Sequence, residues 1–310
     1  MSAGQKWSVS ADGGHLANPK LSEKLRFSSY EMARFRQFCN VKEDGMKQRG
    51  ETMNFDKILK LATGGGTVSE TSTVPSDKFT ITKGTITVTE YANKIPYTGK
   101  LEALSEFDIK NPVQKRLRDD MKDALDVAAG AQFTAAEFKA VLVSTTSVTF
   151  TTNGTATATA TANLHTNTVR QIVSYMKKKN IPFYDNNGYV CVGAIDSIGS
   201  LYDAFQALIQ YTKPELMFAG EVGRYYSCRF VEENNVLSTT IGSGSAYASA
   251  CFFGDDAVME GIAVAEELRA DTPSDLGRSK AIGWYYLGGF EKIWDWSTDS
   301  QENIVHVTSA

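Results

Sequence analysis

Hydrophobic and polar positions alternate most strictly in Lys78–Tyr91, KFTITKGTITVTEY. Folding this stretch about Lys83-Gly84 as a two-residue turn sets Ile81 opposite Ile86 and Phe79 opposite Val88. Thr82 then meets Thr85, and Thr80 meets Thr87. One face is apolar and the other threonine, so register and alternation agree on a β-hairpin. A lone two-stranded ribbon is marginal in water. Its apolar face therefore needs a covering surface, supplied by the chain's own core or by another copy.

Elsewhere the period changes. In residues 21–40, Leu25, Met32, Phe35 and Cys39 recur at helical steps, with Lys24, Arg26, Arg34 and Arg36 scattered among them. This predicts a basic amphipathic arm. Residues 63–76 hold the triplet Gly64–Gly66 and then mostly Ser, Thr and Val. Asn111-Pro112 resembles a helix start, and the apolar series Val113, Leu117, Met121, Leu125, Ala128, Phe133, Phe138 and Val141 follows. That predicts a helix of about 30 residues, roughly 45 Å long. Gly130 should weaken it by about 1 kcal/mol relative to alanine. A second hairpin is expected in SVTFTTNGTATATAT, residues 147–161, about Asn153-Gly154.

Residues 166–179 then read as a helix, with Lys177–Lys179 suiting its negative end. Residues 188–194 read as a buried strand, 196–211 as a helix and 225–233 as a strand. A glycine- and serine-rich loop spans 238–250. Further strands are expected near 251–253, 283–287 and 303–308. The class is α+β, and no internal repeat of fixed period is visible.

With 310 residues and 42% hydrophobic content the chain can bury a proper core. The N-terminus has no apolar run of the secretory kind, and no stretch is long and apolar enough to cross a membrane as a helix. Cys39, Cys191, Cys228 and Cys251 are far apart and read as reduced thiols. The net charge of -4 is uneven: residues 1–60 carry +4, 61–190 carry +2 and 191–310 carry -10. Such a split suits a subunit whose ends face different surroundings. Nothing in the sequence resembles a dedicated nucleic-acid binder, which would show a concentrated basic face.

A search for chemistry finds no convergent set. His15, His165 and His306 form no metal-binding pair, and Gly242-Ser243-Gly244-Ser245 lacks a nucleophile elbow's pattern. Gly99-Lys100 ends like a phosphate loop, but Lys94 stands where its first glycine belongs. Asp255, Asp256, Glu260, Glu266 and Glu267 read as solvated acids without a calcium loop's spacing. No catalytic residue, cofactor or metal is assigned.

Four stretches together carry a resemblance. They are TITVTEYANKIPYTGKLEALSEFDIKNPVQKRLRDDM, NIPFYDNNGYVCVGAIDSI, GEVGRYYSCRFVEENN and FFGDDAVMEGIAVAEELRADTPSDLGRSKAIGWYYLGGFEKIW. They resemble the tailed-bacteriophage major capsid proteins grouped with that of phage N-four, which share the Hong Kong 97 type capsid fold. The resemblance covers most of residues 60–310.

It implies an N-terminal arm over 1–60, an extended β-hairpin loop over 61–98 and a peripheral domain with a spine helix and inserted hairpin over 99–187. An axial domain over 188–265 and a return to the peripheral domain over 266–310 complete the chain. It also implies self-assembly into pentamers and hexamers. The resulting icosahedral virion shell, built in the host cytoplasm, would enclose double-stranded DNA. The implied partners are a separate scaffolding protein, a portal protein at one vertex and a decoration protein, with no membrane. The expected inter-subunit contacts are Phe79, Ile81, Lys83, Ile86 and Val88. Lys24, Arg26, Arg34 and Arg36 of the arm are expected to meet scaffold or DNA, with the acidic C-terminal third outward. The Hong Kong phage joins subunits by a lysine–asparagine bond. Lys78 and Lys83 lie in the matching loop, but no partner asparagine is identified, and no crosslink is expected. The alternative function is an encapsulin-like compartment shell of the same fold.

Overall fold

The computed structural model describes residues 28–29, 31–43, 50–61, 65–74, 76–105, 108–185, 188–201, 221–237, 248–271 and 275–309. Every element named below belongs to the compact unit Glu31–Ala310.

In chain order the elements begin with strands β1 (Asn40–Glu43), β2 (Thr52–Ile58), β3 (Ile81–Thr87) and β4 (Thr89–Thr98). Helices α1 (Gly99–Leu104) and α2 (Lys110–Thr134) follow, then β5 (Phe138–Ser144), β6 (Ser147–Thr151) and helix α3 (Thr166–Lys178). The remaining strands are β7 (Tyr189–Ala194), β8 (Glu221–Tyr225), β9 (Cys228–Glu233), β10 (Ala248–Phe253), β11 (Val258–Ala270), β12 (Ser279–Lys292) and β13 (Ile304–Ser309). A one-turn helix, Trp296–Asp299, lies between the last two.

Two sheets organise eleven of these strands, and β2 and β3 pair as a separate two-stranded ribbon. A seven-stranded mixed sheet runs β6-β5-β13-β10-β7-β9-β8, and a four-stranded sheet runs β1-β11-β12-β4. The central strands β7, β10 and β13 are buried at every position. A strand covered on both faces has no solvent side, so β7 is apolar throughout, and the polar Ser249, His306, Thr308 and Ser309 of β10 and β13 are buried with their apolar neighbours. One core lies beneath α2, where Leu117, Leu125, Ala129 and Phe133 meet Phe35, Phe253, Tyr286 and Ile304. A second core packs Val169, Ile172, Val173 and Met176 of α3 on Phe138, Cys191, Phe252 and Val307.

Helix α3 occupies the expected residues. His165 caps it: its imidazole accepts from Asn167 N, and Thr168 Oγ1 accepts from His165 N at 2.9 Å. The strands at 188–194, 251–253, 283–287 and 303–308 also lie where expected. The 225–233 strand is a hairpin, β8–β9, turning at Tyr226-Ser227 with both residues at positive φ, 48° and 63°. The helix expected at 196–211 begins with one turn, Ile195–Ile198. Most of its remainder, like most of the 238–250 loop, lies outside the described residues.

Four expectations are corrected. First, Lys83-Gly84 is not a turn. Strand β3 runs straight through it and pairs antiparallel with β2, Phe55 opposite Gly84 and Ile58 opposite Ile81. The glycine serves another need: a Cβ there would lie 2.1 Å from the Phe55 ring. Second, Phe138 and Val141 do not continue α2, which ends at Thr134. They belong to β5, bonded in parallel to β13, and the Lys139 ammonium donates to Thr134 O at 2.6 Å, closing the helix. Its start is held by Asp108, which accepts from Lys110 N at 3.1 Å and Asn111 Nδ2 at 2.9 Å.

Third, the inserted hairpin pairs β6 with β5, so its reversal falls at Thr145-Thr146 rather than Asn153-Gly154. Asn153-Gly154 is a later turn, with Gly154 at φ +75° and Asn153 Oδ1 accepting from Thr155 N. Fourth, residues 31–40 are not an amphipathic helix. They form an extended segment with one 3-10 turn, Arg36–Phe38, that leads into β1.

Candidate assembly surfaces

The β2–β3 ribbon has two dissimilar halves. Along its inner face, Met53, Phe55 and Lys57 of β2 stand opposite Ile86, Gly84 and Thr82 of β3. Met53, Phe55 and Ile86 join Ile293 in a small core of their own, with Val88, Met259 and Trp294 packed against it. Met53 and Ile86 lie over Gly261 of β11. Lys57 is buried and forms an ion pair with the buried Asp299, which also accepts from Asp295 N at 3.2 Å. The Lys57 ammonium lies 5.8 Å from the Trp294 ring centre. Thus Ile86 is taken up by its own chain, and Val88 is half-covered beside it.

The far half is different. Ile58 and Ile81 form a cross-strand pair on the outer face, 63% and 55% exposed, and Phe79 is 60% exposed two residues on. Leu61, Val68 and Val74 of the segment joining the strands are exposed as well. The ladder continues past the assigned strands, with Leu59 N donating to Thr80 O at 2.9 Å. Lys83 is exposed on the same outer face, opposite Asp56. Cross-strand register therefore gathers Ile58 with Ile81. Sequence reading missed Ile58, because β2 had been assigned to the arm.

Of the four arm cations, Lys24 and Arg26 lie outside the described residues, and Arg34 is half-buried. Arg36 is committed within its own chain. Its guanidinium donates to Glu260 (2.8 Å) and Glu266 (3.0 Å) of β11 and sits 5.6 Å from the Tyr286 ring centre. Tyr286 in turn donates to Glu260 at 2.9 Å. Burial opposes the Arg36 charge, yet Glu266 and Glu260 outweigh it and hold the guanidinium protonated. Glu260 is thus a buried ion-pair partner and not the solvated acid expected. Phe35 beside it is fully buried against Phe133, ring centres 5.2 Å apart.

Lys292 links a group of buried ionisable residues to Asp295, whose N–H bonds Asp299. Burial pushes the Glu302 carboxyl up to about 7, with Lys292 at 3.5 Å opposing the rise. Burial, then the nearby Lys139 ammonium, pushes His306 down to about 3. The neutral imidazole Nδ1 accepts from Lys139 Nζ at 3.1 Å. The four cysteines are buried free thiols, and burial raises each. Among the described residues no group of three His, Cys, Asp or Glu is placed to hold a metal ion. None of the described helices is long and apolar enough to cross a membrane.

The model of the phage capsid family matches residues 13–192, more than half of the chain. The chain belongs to the phage capsid family. Solved shells share its fold. The capsid of Ralstonia phage GP4 aligns over 94% of this chain and 95% of its own, with 14% identity and a TM-score of 0.70. The head structure of Helicobacter pylori bacteriophage KHP40 aligns over 100% and 99%, with 11% identity and a TM-score of 0.71. The cyanophage Pam1 capsid aligns over 100% and 99%, with 16% identity and a TM-score of 0.64. No curated protein sequence matches. The fold is the Hong Kong 97 type, and the protein is a major capsid protein: copies of it assemble into the virion shell.

Proposed function

We propose that this capsid protein assembles into pentamers and hexamers that close an icosahedral shell around double-stranded DNA. The tip of the β2–β3 ribbon lies on a neighbouring copy. The observation that carries this reading is the exposed apolar tip, Ile58, Phe79 and Ile81, on a ribbon whose base is covered by its own chain. Exposed apolar patches on a folded subunit mark interaction surfaces, and a contact between unlike surfaces generates rings when its rotation closes. Each such contact is modest, but leaving the shell breaks several at once.

In this reading the ribbon, residues 52–87, is the extended loop, and α2 is the spine helix. The chain's work is mechanical, without catalysis. Assembly takes place in the host bacterial cytoplasm with a separate scaffolding protein, a portal at one vertex and a decoration protein as a further partner. Arg36, engaged by Glu260 and Glu266, is withdrawn from the basic arm's proposed contact with scaffold or DNA.

The test is the double substitution Ile58→Asp with Ile81→Asp. The expected result is a soluble subunit with native circular dichroism that forms no shells under electron microscopy. Normal shells from this variant would overturn the ribbon's role.

A further inference from the structure

Acids outnumber bases in the chain, 36 to 32, yet the 47 residues from Phe138 to Tyr184 contain no Asp or Glu. The same stretch holds Lys139, Arg170, Lys177, Lys178 and Lys179. It folds as one piece: β5 and β6 at the edge of the large sheet, and α3 laid against that sheet. Two of its cations are used internally. Lys139 closes α2 and bonds His306, and Lys179 lies 4.0 Å from the Trp296 ring centre. Arg170, Lys177 and Lys178 are exposed, and α3 carries no carboxylate that could neutralise them.

These three cations are arranged, not scattered. Positions 170, 174, 177 and 178 share one side of α3 and span about 12 Å at 1.5 Å per residue. Arg170 and Lys178 line an open cleft of ≈ 530 Å³ with Thr146, Asn167, Gln171 and Ser174 over a floor of Phe150 and Tyr175. The floor rings are stacked 4.3 Å apart. Beside the cleft, Arg170 and Lys177 flank the exposed Tyr226 ring at 5.8 and 5.2 Å from its centre. The carboxylates that bound the stretch in sequence point to other partners: Glu137 accepts from Ser297 N, and Asp185 accepts from Arg229.

Cations interspersed with hydroxyl and amide donors, with no carboxylate among the described lining residues, suit phosphodiester oxygens and carry no base-edge readout. A protein partner would call for an apolar centre, and the cleft's aromatic floor is stacked beneath polar groups. We infer that the α3 face, with the β5–β6 turn and Tyr226, lines the inside of the shell and holds the phosphate backbone of packaged duplex DNA. The inference rests on the reading that the shell encloses double-stranded DNA. It moves the DNA contact from the N-terminal arm to a face that averaging charge over residues 61–190 concealed.

The test is lysine acetylation by a small amine-reactive reagent on DNA-filled particles and on particles emptied of DNA, read by mass spectrometry. Lys177 and Lys178 should be protected in filled particles and reactive in empty ones. Equal reactivity in both places the face away from DNA, and protection in both places it under a neighbouring subunit; either overturns the inference alone. Particles that purify without nucleic acid overturn both it and the proposed function. A second arm measures duplex binding by unassembled subunits against salt. Replacing Arg170, Lys177 and Lys178 together by Gln should weaken binding and lower the log–log salt slope by about 2.7, near 0.9 per lost phosphate contact. An unchanged slope, or a loss seen only with poly-glutamate as the ligand, would count against DNA.

Discussion

The base and the tip of the β2–β3 ribbon follow one alternation of apolar and polar residues but end in opposite states. At the base, Met53, Phe55 and Ile86 are buried against Ile293, and Lys57 is buried against Asp299. At the tip, Ile58, Ile81 and Phe79 remain more than half exposed. Alternation assigns a residue to a face of the ribbon; it does not say what covers that face. At the base the cover is the β11–β12 sheet and the turn around Asp299. At the tip, on the proposed reading, it is a second copy of the chain. Subunit stability and shell formation are therefore separable along a single ribbon.

The largest test of this contrast removes the base's charge pair. Lys57→Met leaves the Asp299 carboxylate buried, and losing one partner of such a pair costs about 3–5 kcal/mol. Urea unfolding of the unassembled subunit should show a loss near the lower end, because Asp295 N still bonds Asp299. Adding Asp299→Asn should recover part of it. A change below about 1 kcal/mol would mean that the base is not anchored there.

The anchor's surroundings should also respond to pH. Glu302 rises from its ordinary 4.5 to about 7. The folded chain thus holds a proton that the unfolded chain gives up, and stability falls as pH rises from about 4.5 to 7. At about 1.36 kcal/mol per pH unit the effect is about 3 kcal/mol. Glu302→Gln should remove this loss, so its stability relative to the parent should grow by about that much across the window. His306 has the opposite sign. Depressed to about 3, it contributes stability at neutral pH that is lost as pH falls from about 6.5. A pH-independent difference between Glu302→Gln and parent would sink the assignment.

Smaller still is Gly84→Ala. A methyl group 2.1 Å from the Phe55 ring forces the ring or strand to shift, at a cost of about 1–3 kcal/mol. The smallest effect belongs to the tip: Ile81→Ala should change subunit stability by no more than about 0.5 kcal/mol, as expected of an exposed site. Equal losses from Gly84→Ala and Ile81→Ala would erase the distinction between base and tip.

Much of the fold was legible where a single segment decides its own structure. Helix α3 declares itself through its local period, and strands β7, β10 and β13 through short runs rich in apolar and β-branched residues. What was not legible depends on partners far along the chain. Lys83-Gly84 has the composition of a turn, but its role is set by Phe55, nearly thirty residues earlier. Phe138 and Val141 extend the helical series of α2, but the parallel bonds from β13 draw them into a strand. Phe35 and Cys39 belong to the arm's apolar series and are buried in their own chain, though they flank a 3-10 turn and not a helix. Of the candidate contact residues, Phe79 and Ile81 are exposed and Ile86 is not. Ile58, their companion, was hidden because its register belongs to a pairing that the hairpin reading excluded.

The ion pair of Lys57 and Asp299 also makes the ribbon a lever. Its strands run on from this clamp to Ile58 and Ile81 and the segment beyond, while the fulcrum sits on the turn Trp296–Asp299, a few residues before β13. Torque applied to the tip is delivered to a salt link a few residues from β13, an interior strand of the seven-stranded sheet. A shell whose subunits tilt against one another would thus load this ion pair together with the small Met53, Phe55 and Ile86 core beside it.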